Sequence, residues 1–325
     1  MNYAFTNGKL LDGNQGMQVQ TGLHILVKDG VISDIVPDTA DVTGYQRVDL
    51  HGHYILPGLI NMHVHLAGNG KPQKKQRDNE KLVKRIMSTG LTRAVAYKMV
   101  CGFANDELLG GVTTIRTVGG LGDFDTRLRD EIAAGSRVGP RILASNQGIS
   151  VPGGHMAGSV AVAAANIPEA LAQLEKSRSE KVDLIKLMIT GGVLDAKEKG
   201  VPGELKMPPK MVRAVCDKAH SYGYLVAAHV ESPEGVRMAL DYPVRLLAGA
   251  LLFPQICGCF QRLRPLHRHQ AQCRSGRYRA SDRLHRERQG GGSYRHCGES
   301  AGRSAGIAES GAGSRTGQCN QTSCD

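Results

Sequence analysis

Leu56-Pro-Gly-Leu-Ile-Asn-Met-His-Val-His-Leu66 is the stretch on which the fold turns. Pro57-Gly58 ends whatever precedes it, because proline cannot donate to a strand ladder and glycine loosens the backbone. The apolar run from Leu59 to Val64 then suits a buried strand of a parallel sheet. It runs out in His63-Val64-His65. Alternate residues of a strand point to one side, so both imidazoles can face one ion. Such a pair taken alone is ordinary, and its weight comes from what surrounds it.

On the N-terminal side the period is two. Leu23-His-Ile-Leu-Val-Lys28 and Val31-Ile-Ser-Asp-Ile-Val36 flank Asp29-Gly30, which predicts a hairpin with a tight turn. Residues 47–50 and 54–56 add short strands. On the C-terminal side strands and helices alternate. Residues 79–109 read as helix, with Gly90 and Gly102 as points where it can split. Strands are predicted at residues 112–116, 141–144, 182–188 and 225–229. Helices are predicted at residues 124–134, 168–180 and 209–222, and from Pro233 to about residue 240. Asn166 and Ser232 are placed to cap two of them, each just ahead of a proline. Five strand–helix repeats in succession favour a parallel (β/α) barrel over an open sheet.

The chain has 325 residues and a net charge of +11, yet neither value is uniform along it. Beyond residue 240 every basic residue is an arginine, and all cysteines except Cys101 and Cys216 lie there. Apolar periodicity fades in the same place. This composition is what reading a GC-rich gene in the wrong frame produces, and we expect an irregular, disordered tail over residues 241–325. Its arginines come without aromatic platforms, so no specific nucleic-acid partner is expected. Cys257-x-Cys259 and His267-x-His269 match no zinc-knuckle spacing well. The opening residues lack the pattern of a secretory peptide. The longest apolar run, near residues 244–260, is broken by Arg245 and Pro254, so no membrane span is expected. Two cysteines in the body suit a reducing cytoplasm.

Leu56 to Leu66 closely resembles the start of the barrel in the metal-dependent amidohydrolase superfamily, where a proline-glycine turn leads into a strand ending His-x-His. The resemblance continues in order through Gly111-Val-Thr-Thr-Ile-Arg-Thr-Val-Gly-Gly120, Gly139-Pro-Arg-Ile-Leu143 and Gly153-Gly-His155. It covers residues 1–240. It implies strands of a small composite β-sandwich over residues 1–56, then five of the eight units of a TIM (β/α)8 barrel over residues 57–240. The fold expected is therefore α/β, an incomplete barrel with part of a sandwich and an irregular tail.

The resemblance also implies roles. His63, His65 and His229 would be metal ligands, His229 ending its strand in Val226-Ala-Ala-His-Val-Glu-Ser232. Lys186, in Leu184-Ile-Lys-Leu-Met-Ile-Thr-Gly-Gly-Val193, interrupts an apolar strand and so belongs inside. In the subgroup it resembles, that lysine is carboxylated and bridges two divalent ions, zinc by its donor set. His155 would contact substrate, and His220, on a helix, is structural. The family's sixth-strand histidine and eighth-strand aspartate find no match after residue 240; Ser281-Asp282 lies among arginines and a histidine. The implied activity is hydrolysis of an amide C–N bond in a small molecule or dipeptide, Xaa-Pro dipeptides first. An imidazolonepropionase-like cyclic amide hydrolase is the alternative, and a non-catalytic fragment with a polycationic tail the third. No catalytic residue is assigned.

Overall fold

The computed structural model describes residues 1–68, 78–192, 203–242, 244 and 246–248. In chain order the elements begin with β1 (Asn2–Thr6), β2 (Lys9–Leu10), β3 (Leu23–Lys28), β4 (Val31–Pro37), β5 (Gln46–Asp49) and β6 (Tyr54–Ile55). There follow β7 (Leu59–Val64), α1 (Asn79–Ile86), α2 (Gly90–Leu109), β8 (Val112–Thr117), α3 (Phe124–Ala133) and β9 (Arg141–Leu143). Next are β10 (Gly148–Ser150), β11 (Ala161–Ala163), α4 (Ile167–Ser179) and β12 (Leu184–Met188). The last are α5 (Pro209–Ser221), β13 (Leu225–His229), α6 (Pro233–Asp241) and β14 (Leu246–Ala248).

The N-terminal strands form a sheet in the order β4-β3-β1-β5, with β2 and β6 paired beside it. The β3–β4 hairpin turns where expected, Asp29 and Gly30 both taking positive φ (50° and 77°), as a type I′ turn requires. Side chains of Asn166 and Ser232 accept hydrogen bonds from Glu169 N and Gly235 N, the first orphan donors of α4 and α6.

The remaining strands are parallel and form two sheets, β7-β8-β9 and β11-β10-β12-β13-β14. No closed barrel is present among the described residues. Residues 144–147 carry the chain from β9, in the first sheet, to β10, in the second. One face of β8, of β12 and of β13 packs on helices. Ile185, Leu187, Val226 and Ala228 join Leu174, Val212, Val215 and Val236 in one buried cluster. Val64 and Ile115 join Val100, Phe124 and Leu128 in another. The opposite face is inner: Val118, Leu184 and Ala227 meet there. By alternation Lys186 and His229 share that inner face, and His63 and His65 point away from the side of Val64.

Two expectations need correction. The parallel pattern was expected to stop at Leu240, but β14 pairs with β13 through Ala227↔Leu246 and His229↔Ala248. Three residues in extended pairing are too few to leave a periodic signature. The run Leu59–Val64 was expected to be buried, yet Leu59, Ile60 and Met62 are 54%, 53% and 38% exposed. β7 is an edge strand among the described residues, paired only with β8, and of its apolar side chains Val64 alone is buried, in the cluster with Val100 and Phe124. Ser281-Asp282, Cys257-x-Cys259, His267-x-His269 and the disorder expected of the tail lie outside the described residues.

An apolar, one-sided edge strand templates self-association. Ile60→Lys is expected to slow aggregation, read by light scattering, while changing stability by no more than about 0.5 kcal/mol, since surface substitutions usually stay within that range. A larger loss of stability would mean Ile60 is packed.

Candidate metal centre

Strand ends build the site. β7 delivers His63 at its C-terminal end and His65 just past it, and their Nε2 atoms stand 3.2 Å apart. His65 Nδ1 lies 3.1 Å from the carbonyl of Gly119, just beyond β8. A carbonyl only accepts, so Nδ1 carries the proton and Nε2 presents its lone pair. Two imidazole nitrogens on one tetrahedral zinc at 2.0–2.1 Å would be separated by about 3.3 Å. The Nε2 separation therefore matches that of two ligands on a shared divalent ion.

Lys186 is the centre's most unusual group. It is 1% exposed, and its Nζ has no hydrogen-bond partner. Burial, then repulsion from the Arg116 guanidinium, lowers its pKa to about 7. Arg116 reaches across to donate from Nε to the Met62 carbonyl at 2.8 Å, tying β8 to β7. The imidazoles respond to the same field. Burial first and Lys186 next lower the His63 pKa to about 3; its ring is open on one side, and the protein behind it supplies the desolvation. His65 falls to about 4, chiefly through burial, against the hydrogen bond to Gly119. His229, buried and beside His155 and Lys186, is lowered further still. All three rings are neutral at pH 7, the state in which imidazole ligates metal.

His229 ends β13 on the inner face. Its ring stacks on that of His155, centroids 3.9 Å apart at 12°, and its Nε2 is 3.5 Å from Glu231 Oε1. Gly192 closes over both rings, leaving no room for a side chain there. The sequence-predicted residues thus fall into two pairs, His63 with His65 and His155 with His229. Lys186 is electrostatically coupled to His63, His65 and His229. Among the described residues no three His, Cys, Asp or Glu side chains converge on one metal position. His220 is half-buried in the last turn of α5 and belongs to neither pair. Sequence reasoning missed Arg116 and Glu231. Arg116 had the same signal that exposed Lys186, a cation interrupting a β-branched strand. Glu231 lies two residues past His229, where β13 has ended, and period alone does not orient a loop residue.

The sequence pattern of the amidohydrolase family matches residues 54–242. The chain belongs to that family. Among curated relatives it is 35% identical over 75 residues to a dihydroorotase of Trichlorobacter lovleyi, covering 23% of this chain and 17% of that one. It is 33% identical over 113 residues to the imidazolonepropionase of Salmonella paratyphi A, covering 30% and 28%. A solved structure described as a prolidase from Bifidobacterium longum is 33% identical with a TM-score of 0.57, covering 74% of this chain and 52% of that one. The chain thus spans about half the length of that structure and less of the two curated relatives. Among the described residues, no helix is long and apolar enough to cross a membrane.

A buried amine without a partner costs stability, so removing it should help the fold. Lys186→Met is expected to stabilise the chain by about 1–3 kcal/mol at pH 7. The folded pKa lies below the unfolded 10.5, so the unfolded state binds the extra proton between about 7 and 10.5, and stability rises with pH there. The advantage of Lys186→Met should therefore shrink from pH 7 towards pH 10 in denaturant titrations. A destabilised variant would show that Lys186 is satisfied.

Proposed function

We propose that this chain carries the N-terminal part of the metal centre of a hydrolase that cleaves an amide C–N bond in a dipeptide, Xaa-Pro dipeptides first. The observation that carries the reading is Lys186: a partnerless amine at an inward strand position, coupled to three neutral imidazoles. His63, His65, His229 and Lys186 would hold divalent ions, zinc by the donor set, with two favoured once Lys186 is carboxylated. When bound, the ions would polarise the scissile carbonyl and make water nucleophilic at neutral pH.

The chain's own residues set up that state. At pH 8 most of the Lys186 amine is neutral, so its lone pair can attack carbon dioxide, a C–N bond forms and a proton leaves to solvent. The resulting carbamate replaces a buried cation with two anionic oxygens next to Arg116, which turns the guanidinium from a repelling neighbour into an attracting one. His155, stacked on His229, would be the substrate contact. The likeness to the prolidase structure supports the dipeptide reading. The imidazolonepropionase relative supports a cyclic amide as the second reading. We further propose a composite sandwich over residues 1–56, a partial barrel over 57–240 and a separate tail. The proton-accepting aspartate of the resembled family has no counterpart in the sequence, so turnover by this chain alone is expected to be absent or very slow.

The test uses the full chain with zinc and 13C-bicarbonate. A carbamate resonance that disappears in Lys186→Met, together with zinc binding lost in His63→Ala/His65→Ala, is the expected result. Zinc binding that survives both histidine substitutions would overturn the assignment. A single ion and no carbamate would favour the cyclic-amide reading.

A further inference from the structure

Beneath His65 lies a buried polar layer that the proposed chemistry does not use. Gly119, whose carbonyl receives the His65 Nδ1 proton, donates its own N–H to Ser145 Oγ at 2.9 Å. Ser145 Oγ donates to the Asn146 carbonyl at 3.1 Å, and Gly120 N donates to that same carbonyl at 2.9 Å. Ser145 N donates to Thr117 Oγ1 at 3.2 Å. Thr117 in turn donates from its hydroxyl to the Asp125 carboxylate, which also accepts the Asn146 N–H. Asn146 holds a positive φ of 53°, and its side chain bridges Thr126 (Oδ1 from N at 3.0 Å, Nδ2 to Oγ1 at 2.9 Å) and Glu180 (Nδ2 to Oε2 at 2.8 Å). Thr117, Asp125, Ser145 and Asn146 are each at most 1% exposed.

The two glycines make this packing feasible. Gly119 has φ of 130°, and a Cβ there would press on the His65 ring. A Cβ on Gly120 would run into the Asp125 carboxylate. One carboxylate oxygen of Asp125 has no hydrogen-bond partner, so a desolvated acid is kept against a backbone turn. Burying such a group is costly unless the turn it braces matters.

We propose that Ser145 and Asp125 are positioning residues: through the Gly119–Gly120 turn they fix the tautomer and orientation of His65, keeping its Nε2 lone pair turned towards His63. The role of that lone pair in metal binding rests on the function proposed above; the tautomer does not. A carbonyl held at one point by two buried braces accepts the Nδ1 proton in one ring orientation only. Partners of this kind usually change metal affinity 10–100-fold when removed.

The experiment is 15N-histidine NMR of the full chain at pH 8, with His65 assigned through His65→Gln, alongside zinc titration. In the parent, His65 should carry its proton on Nδ1. Ser145→Ala should give a mixture of tautomers and weaken zinc binding 10–100-fold. Asp125→Asn keeps one acceptor oxygen and the side chain's size, so it should shift both readouts the same way but less. A parent His65 protonated on Nε2, or an unchanged tautomer in a Ser145→Ala protein with native amide exchange, would overturn the proposal. If Ser145→Ala does not fold, an unchanged tautomer in Asp125→Asn would do so. A tautomer that shifts in a protein whose parent binds no zinc supports the positioning role and overturns the metal reading alone.

Discussion

The desolvated amine of Lys186 is the constraint on which the rest of the site depends. It sits in a strand whose outward residues, Ile185 and Leu187, are locked into the helix-covered core, so alternation leaves the lysine no outward path. Once inside and without a partner, the amine disfavours any further positive charge nearby. His63, His65 and His229 are all depressed by it, after burial itself. Neutral imidazoles and a neutral amine are the protonation states that bind cations. One buried lysine therefore adds to burial in keeping neutral the ring nitrogens contributed by two other strands.

Arg116 sharpens this arrangement. It lies on the same inner face, is 8% exposed, and is anchored to the Met62 carbonyl. Two buried basic groups in one field are unfavourable unless an anion joins them or one of them gives up its proton. Burial and the Arg116 charge together lower the Lys186 pKa to about 7, and carboxylation would place an anion beside the guanidinium. The stability sacrificed at such a position is common at functional sites and is otherwise hard to explain.

Most of what places the site was legible in the sequence. Asp29-Gly30, Asn166 and Ser232 each act through local chemistry, a turn conformation or a cap, that the neighbouring residues specify fully. Strands β8, β12 and β13 carry long apolar or β-branched runs and were legible for that reason. β10 and β11 were not, because three-residue strands in glycine- and alanine-rich segments have no period to detect. The rings of His63, His65, His155 and His229 were singled out by the family resemblance of the segments that carry them, since type and spacing alone left each of them ordinary. The layer holding them was not: the Gly119 carbonyl is a backbone atom, and Ser145, Asn146 and Asp125 are brought under it by tertiary packing rather than by sequence spacing. The exposure of β7 had the opposite cause, a strand with a buried strand's composition that has a neighbour on one side only.

The most direct measurement is the protonation of Lys186 itself. In a chain carrying 13C-labelled lysine, the Cε resonance that disappears in Lys186→Met can be followed from pH 5 to pH 11 in carbon-dioxide-free buffer. A midpoint near 7, well below that of every other lysine, is the result predicted here. A Lys186 that titrates with the surface lysines would contradict the account, because the amine would then be solvated or paired rather than desolvated at an inward strand position.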